Sequence, residues 1–262
     1  VEGLVKGIEI VPDARLHRID IDAVGDPAEI ARMVRAAWRV PSGPIGNLTR
    51  LLEAVGIVVV QRALGTTAQD AVSTWPADPD HPPVIVVNTG LAPDRYRYTL
   101  AHELGHMIMH ILPSDSQEAE ADAFASELLA PAEEIAPELA GLRTRDFPRL
   151  LALKTRWGMS MAALIRRAKD VEAISDRQYR EFWVQLSQLG WRTREPGDVP
   201  AETPQTLRRV IETHQREHGY TVEELAAAAG MLPASFTRHY AESRPRQPTA
   251  RLRLVRGSEP QP

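Results

Sequence analysis

The stretch Tyr98-Thr-Leu-Ala-His102-Glu-Leu-Gly-His106-Met-Ile-Met-His110 decides how the rest of the chain is read. On a helix, residues four apart share a face, so His102 and His106 offer two imidazole nitrogens to one metal ion. Glu103 stands next to His102, close enough to take a proton from a water at that ion. This HExxH spacing points to zinc-dependent hydrolysis with Glu103 as the base. A five-residue pattern also arises by chance, so a real site requires a third ligand, supporting groups and an apolar back to the helix.

The apolar back is present. Pro93-Asp94 opens the helix. With about 100° per residue and His102 at zero, His106 and Thr99 fall on one side, and Glu103 and His110 at its edge. Leu100, Leu104, Met107 and Ile111 fall on the opposite side, so the ligands face a cleft while the aliphatics face a core. His110 is about 12 Å along the axis from His102, too far to share one ion, and reads as a supporting or cleft-wall residue.

A third ligand is expected on the next helix, from about Ser116 to Leu129, with Pro131 marking its end. Glu118, Ala121, Asp122, Ala125, Leu128 and Leu129 share one stripe, and Glu120 points nearly the other way, towards solvent. Glu118 across small residues reads as the carboxylate ligand, with Glu120 as its rival. Asp122, one turn on, is placed to accept the free ring N–H of a ligand histidine. A solvated pair of like charges at i, i+4 would repel by a few tenths of a kcal/mol, and a bound cation removes that repulsion.

Upstream, Asp26-Pro27 starts a helix with Ile30, Val34 and Trp38 on its apolar face. Leu48, Leu51, Leu52 and Val55 make a second, closed by Gly56. The β-branched Ile57–Val60, the weaker Ala71–Trp75 and Val84–Asn88 read as three strands of a small sheet. Residues 1–25 form a lead-in of low information. The fold class is α+β: a minimal zincin-like domain over 26–140, then a mostly helical region over 141–243 with helix-turn-helix-like hairpins. The tail, 244–262, carries arginines interleaved with Pro, Gly and Ser and reads as disordered.

Composition narrows the partners. The 262 residues are 43% hydrophobic and 25% charged, with net charge −4. That balance makes no global case for nucleic acid or membrane. No apolar run approaches the ~20 residues of a membrane span, and the start lacks a signal-peptide build, so a cytoplasmic location is expected. There is no cysteine, so any metal must be held by histidine and carboxylate.

Three other features read as structural. His214-Gln-Arg-Glu217-His218 matches an inverted zinc motif, H-x-x-E-H, but reads as a solvated helix end without an apolar back. The hairpins over Leu150–Lys169 and Tyr220–Tyr240 look like helix-turn-helix units. Lys154 is too large for the tight position of the first, and the second offers only Arg238 and His239 to a nucleic acid. Packed αα-hairpins are expected in both places. Trp157, Trp183 and Trp191 lie among Leu and Phe at helical spacing and read as core.

Taken together, the chain resembles the ImmA/IrrE metallopeptidases. The resemblance runs through Gly43-Pro-Ile45, Leu51–Val58, Arg97–His106, Glu118-x-x-Ala-Asp-x-Phe-Ala125, Glu127-Leu-Leu-Ala-Pro131, Leu153–Met161, Gly190-Trp-Arg192 and Glu195-Pro196, covering about residues 20–240. It implies a zinc endopeptidase that cuts a Xre-type DNA-binding repressor and switches on stress-response or mobile-element genes. On that reading His102, His106 and Glu118 hold Zn²⁺, Glu103 is the base, and Asp122, His110 and Tyr98 support the site. The second donor to the scissile carbonyl is left open among Tyr96, Tyr98 and His110. Some relatives carry their own helix-turn-helix upstream, and none precedes Val1 here; the repressor is expected to be a separate protein if the chain is complete, and the regulator to bind DNA itself if the chain is a fragment. The alternative is a non-catalytic regulatory or binding module on a metal-holding scaffold, against which the intact Glu103 counts.

Overall fold

A computed structural model describes residues 1–5, 8–11, 16–66, 68–76, 78, 81–241 and 251–254. In chain order the elements are α1 (Glu2–Val5), β1 (Ile8–Val11), α2 (Ile21–Val24), α3 (Pro27–Ala37), α4 (Leu48–Ala54), β2 (Val58–Gln61), β3 (Ala71–Thr74) and β4 (Val84–Val87). There follow α5 (Pro93–Met109), α6 (Gln117–Leu129), α7 (Ala132–Leu139), α8 (Phe147–Trp157), α9 (Met161–Asp170) and α10 (Asp176–Gln188). The chain continues through α11 (Thr206–Glu217), α12 (Val222–Ala228), α13 (Pro233–Phe236), a π-helical turn at Thr237–Ala241, and β5 (Arg251–Leu254). A small sheet among many helices is the α+β architecture expected.

The contacts divide the chain into two units. The first comprises Val1–Leu16, Thr49–Thr89 and Thr203–Pro262; the second comprises His17–Leu48 and Gly90–Glu202.

In the first unit β4 is the central strand, parallel to β2 and antiparallel to β3, with Val59 opposite Ile85 and Val72 opposite Val86. The β-branched run explains β2: Val58, Val59 and Val60 are all buried, as a strand covered on both faces requires. One core joins Val58 and Val60 to Leu207, Val210 and Ile211 of α11, Leu225 and Ala226 of α12, and Phe236 of α13. Glu53 on α4 accepts the N–H groups of Gln205 and Thr206 at 2.7 Å each and so caps the start of α11. Burial holds the Glu53 carboxyl above its usual range, against these hydrogen bonds.

Three expectations are corrected here. The N-terminal stretch is more than a lead-in, since Leu4, Val5 and Ile8 enter the same core; its elements mix charged with apolar residues and hold no unbroken β-branched run. The end of α11 is not simply solvated: the helix has a buried face of Leu207, Val210, Ile211 and His214, and His214 Nε2 donates to the Leu4 carbonyl at 2.7 Å. The disordered tail falls mostly on residues outside those described, but Arg251–Leu254 pair antiparallel with β1, Ile8 opposite Leu254. The second hairpin takes the expected form: Phe236 is buried in the core and Thr221 with Glu224 makes a capping box on α12.

The second unit is helical. Asp26 caps α3, accepting from the Ala28 N–H at 2.9 Å, with Pro27 at the first helical position. Helix α6 packs against both α5 and α3, and α9 packs against α8 and α10. In the first hairpin Gly158 has φ +65° and ends α8. A Cβ there would lie 2.6 Å from Nε of Arg97, so a side chain is excluded by both backbone and space. Lys154, too large for a DNA-binding turn, is buried and bound to Asp94 and Glu195.

Candidate metal centre

Helix α5 carries the histidines because its two sides differ. Leu100, Leu104, Met107 and Ile108 are buried, while His102, Glu103 and His106 are half-exposed. The helix stops at Met109, with His110 as its C-cap. Ile111 therefore lies beyond the helix and is 66% exposed, not part of the apolar back; that side is completed by Ile108 instead.

Helix α6 approaches closely at Gly105. A Cβ on Gly105 would meet Cδ1 of Phe124 at 3.1 Å and Cα of Ala121 at 3.3 Å, so the two backbones are near their limit. The small Ala121 and Ala125 and the fully buried Phe124 form the facing surface. This approach brings Glu118, in the first turn of α6, over the two histidines.

The result is a compact donor set. Nε2 of His102 and Nε2 of His106 are 2.9 Å apart, and each is 3.4 Å from an oxygen of Glu118. Among the described residues this triad is a group of side chains whose ligand atoms lie close enough together to hold one metal ion.

The partners of the other ring nitrogens dictate the tautomers. Carboxylates accept only. Nδ1 of His102 is 3.0 Å from Asp122, so it carries the proton and leaves Nε2 as a lone pair. Nε2 of His110 is 2.9 Å from Glu120 and carries a proton towards it, which places Nδ1 as the acceptor on the other side. Nδ1 of His106, 2.9 Å away, donates to it, and Nε2 of His106 is again a lone pair. Two lone pairs and a carboxylate then converge on one point, and only a cation satisfies all three. The residues fit a divalent metal bound through nitrogen and oxygen.

Burial opposes a charged His102, but the Asp122 hydrogen bond and the surrounding carboxylates carry its pKa above the ordinary histidine value. Burial and the neighbouring His102 lower that of His106. Asp122 is held below the usual carboxylate range, first by its bond to His102. Glu120 is lowered by Ser116 and by His110.

Glu120, expected in solvent, is only partly exposed and is bound to His110, because α6 begins beside the last turn of α5. Tyr98 points its hydroxyl at Asp122 and Ser126, all at 3.3 Å, and burial pushes its pKa up to about 12. Tyr96 is buried, and His110 is bound at both ring nitrogens. The open choice of carbonyl donor therefore finds all three candidates buried or engaged with other groups. Of the three tryptophans expected in the core, Trp157 is there, while Trp183 and Trp191 are half-buried along a cavity.

Two supporting groups carry no local signal in the sequence. Ser126 stands one turn beyond Asp122 and meets the Tyr98 hydroxyl. Arg166, on α9, reaches Asp122 at 3.5 Å. Only the packing of α9 brings it there.

Residues 52–169, which span the whole donor set, match the model of a family described as the IrrE N-terminal-like domain, Peptidase_M78. No curated protein matches the chain.

Proposed function

Through residues 52–169 the chain belongs to the ImmA/IrrE metallopeptidase family, and from that premise we propose that it is a zinc-dependent endopeptidase acting on a protein. The observation that carries this reading is the convergence of the two Nε2 lone pairs and the Glu118 carboxylate, each imidazole being held from behind by an acceptor. With nitrogen and oxygen donors and no cysteine, His102, His106 and Glu118 would hold Zn²⁺. When bound, Zn²⁺ polarises the scissile carbonyl and lowers the pKa of a water to about 7.

The chain's own residues supply the rest. Glu103, half-exposed and near enough to His102 to raise its pKa, takes the proton of the attacking water. It then passes that proton to the leaving amine nitrogen as the C–N bond breaks. Asp122 and the Glu120–His110 pair hold the proton of each ligand ring on Nδ1 and keep both rings turned with Nε2 towards Glu118. Tyr98 and Ser126 hold Asp122 in place.

The substrate we propose is a Xre-type repressor, following the family resemblance. The test is incubation of the zinc-loaded full chain with such a repressor from a neighbouring gene, beside Glu103→Gln. Cleavage that falls by at least ~10²-fold in the variant supports the endopeptidase. If both proteins release the repressor from its operator uncut, the enzyme reading fails and the binding-module reading replaces it. Zinc content of His102→Ala, Glu118→Gln and Glu120→Gln tests the ligand set: the first two lose the metal and the third retains it.

A further inference from the structure

Behind His102, on the side away from Nε2, lies a cavity of about 500 Å³. Its wall takes Asp122, Tyr98 and Ser126, but not His102, Glu103, His106 or Glu118. A molecule in it touches the groups that hold His102 without touching the donor set, so it is poorly placed as a pocket for the residues flanking a cut peptide bond. Its size is within the ~300–1,000 Å³ of small-ligand sites.

The lining has a definite chemistry. Trp183 and Trp191 bring two half-buried indoles, each held by an edge-on neighbour: Tyr179 at 6.0 Å for Trp183, and Phe147 at 5.3 Å for Trp191. They are rigid apolar walls. Two of the carboxylates present, Asp94 and Glu195, are buried and bound to Lys154 at 2.6 and 2.9 Å. Glu195 also accepts the Met161 and Ala162 N–H groups. Asp122 is bound to His102. The exposed charges are four guanidinium groups, Arg95, Arg166, Arg192 and Arg194, against one carboxylate, Asp198. Arg192 lies over the Trp183 ring, 5.4 Å from its centroid, which sets a cation beside the aromatic wall.

We propose that this cavity is an effector site for small aromatic carboxylates. The flat body of the ligand lies against Trp183 and Trp191, and its carboxylate takes charge-assisted hydrogen bonds from Arg192, Arg194 and Arg166. Arg166 is 3.5 Å from Oδ2 of Asp122, whose other oxygen holds Nδ1 of His102. A ligand that draws Arg166 away removes a cation from the group that orients a metal ligand, so occupancy of the cavity and loading of the metal site affect each other, and by linkage reciprocally. The coupling rests on the metal site proposed above; the binding does not.

The test is calorimetry of the full chain with 2-naphthoate, beside its uncharged isostere 2-naphthamide and inorganic phosphate. We expect saturable binding of one naphthoate per chain, with naphthamide and phosphate each at least tenfold weaker. Trp183→Ala and the double variant Arg192→Gln/Arg194→Gln each weaken naphthoate at least tenfold; the second changes only exposed residues and leaves the core intact. Zinc-loaded and metal-free protein differ at least threefold in naphthoate affinity. Absence of saturable binding, equal affinity for naphthamide, or no loss in the double variant overturns the site. Equal affinity with and without zinc overturns the effector role. Because no arm reads peptide cleavage, a failure of the endopeptidase reading leaves these outcomes distinct.

Discussion

At the scale of single residues, the centre depends on where protons sit. Asp122 and Glu120 accept from opposite ends of a short chain of rings, and this leaves His102 and His106 both unprotonated at Nε2. His102 has a raised pKa, so in the metal-free protein its contribution to stability is fully present below about 6.5 and lost as pH rises through the raised value. Asp122 is lowered, so its contribution is present above the ordinary carboxylate range and lost as pH falls through its lowered value. A metal needs the neutral ring, so affinity climbs as pH rises through the His102 range. Asp122→Asn removes the main opponent of burial, and the pKa of His102 falls; histidine NMR against pH in the metal-free protein reads this directly. The same change weakens zinc by about 10–100-fold in a chelator competition. Glu118 as the residue over the histidines was legible from the helical wheel, because both histidines and Glu118 sit on regular helices. The partner of Glu120 was not, because it depends on where α6 starts relative to the end of α5.

At the scale of elements, Gly105 does two things within the motif. It keeps the four-residue spacing of the histidines, and its missing side chain lets α6 come close enough to present Glu118. Gly105→Leu forces the helices apart. It is expected to cost about 1–3 kcal/mol of stability, as overpacked cores do, and to lower zinc affinity more than tenfold. Gly105→Ala sets a tight contact of 3.1–3.4 Å against about 1 kcal/mol of helix propensity, and is expected to be nearly neutral in a thermal unfolding scan. Loss of zinc in the Leu variant without separation of the helices would point to another cause. The long helices were legible because each spans several periods of its own pattern or carries clear caps, and β2 and β4 because each holds an unbroken run of β-branched residues. The equally short α1, β1 and β5 mix charged with apolar residues and hold no such run.

At the scale of the whole molecule, distant stretches of chain share each unit. In the second unit Lys154 of α8 is buried against Asp94 at the start of α5 and Glu195 beyond α10, and Glu195 also takes the first N–H groups of α9. Burial opposes the charge on Lys154, but the two carboxylates hold its pKa above the usual lysine value. Lys154→Met leaves two buried carboxylates without a cation and is expected to cost about 3–5 kcal/mol, read as a lower unfolding midpoint. Adding Asp94→Asn and Glu195→Gln to that variant recovers part of the loss; no recovery would show that Lys154 acts by packing alone. In the first unit His214 bonds to the Leu4 carbonyl across 210 residues of chain, a pairing invisible to any local pattern. By itself, the sequence determined the histidine face of α5, the carboxylate stripe of α6, the apolar back and the three strands. Each follows from local residue pattern, which a few neighbouring residues set. Only the tertiary structure decided that Glu120 supports His110, that Arg166 reaches Asp122, that Lys154 is neutralised by two distant acids, and that Trp183 and Trp191 line a cavity. Those facts depend on how separate elements pack, and packing is settled by the shapes and charges of whole faces rather than by spacing along the chain.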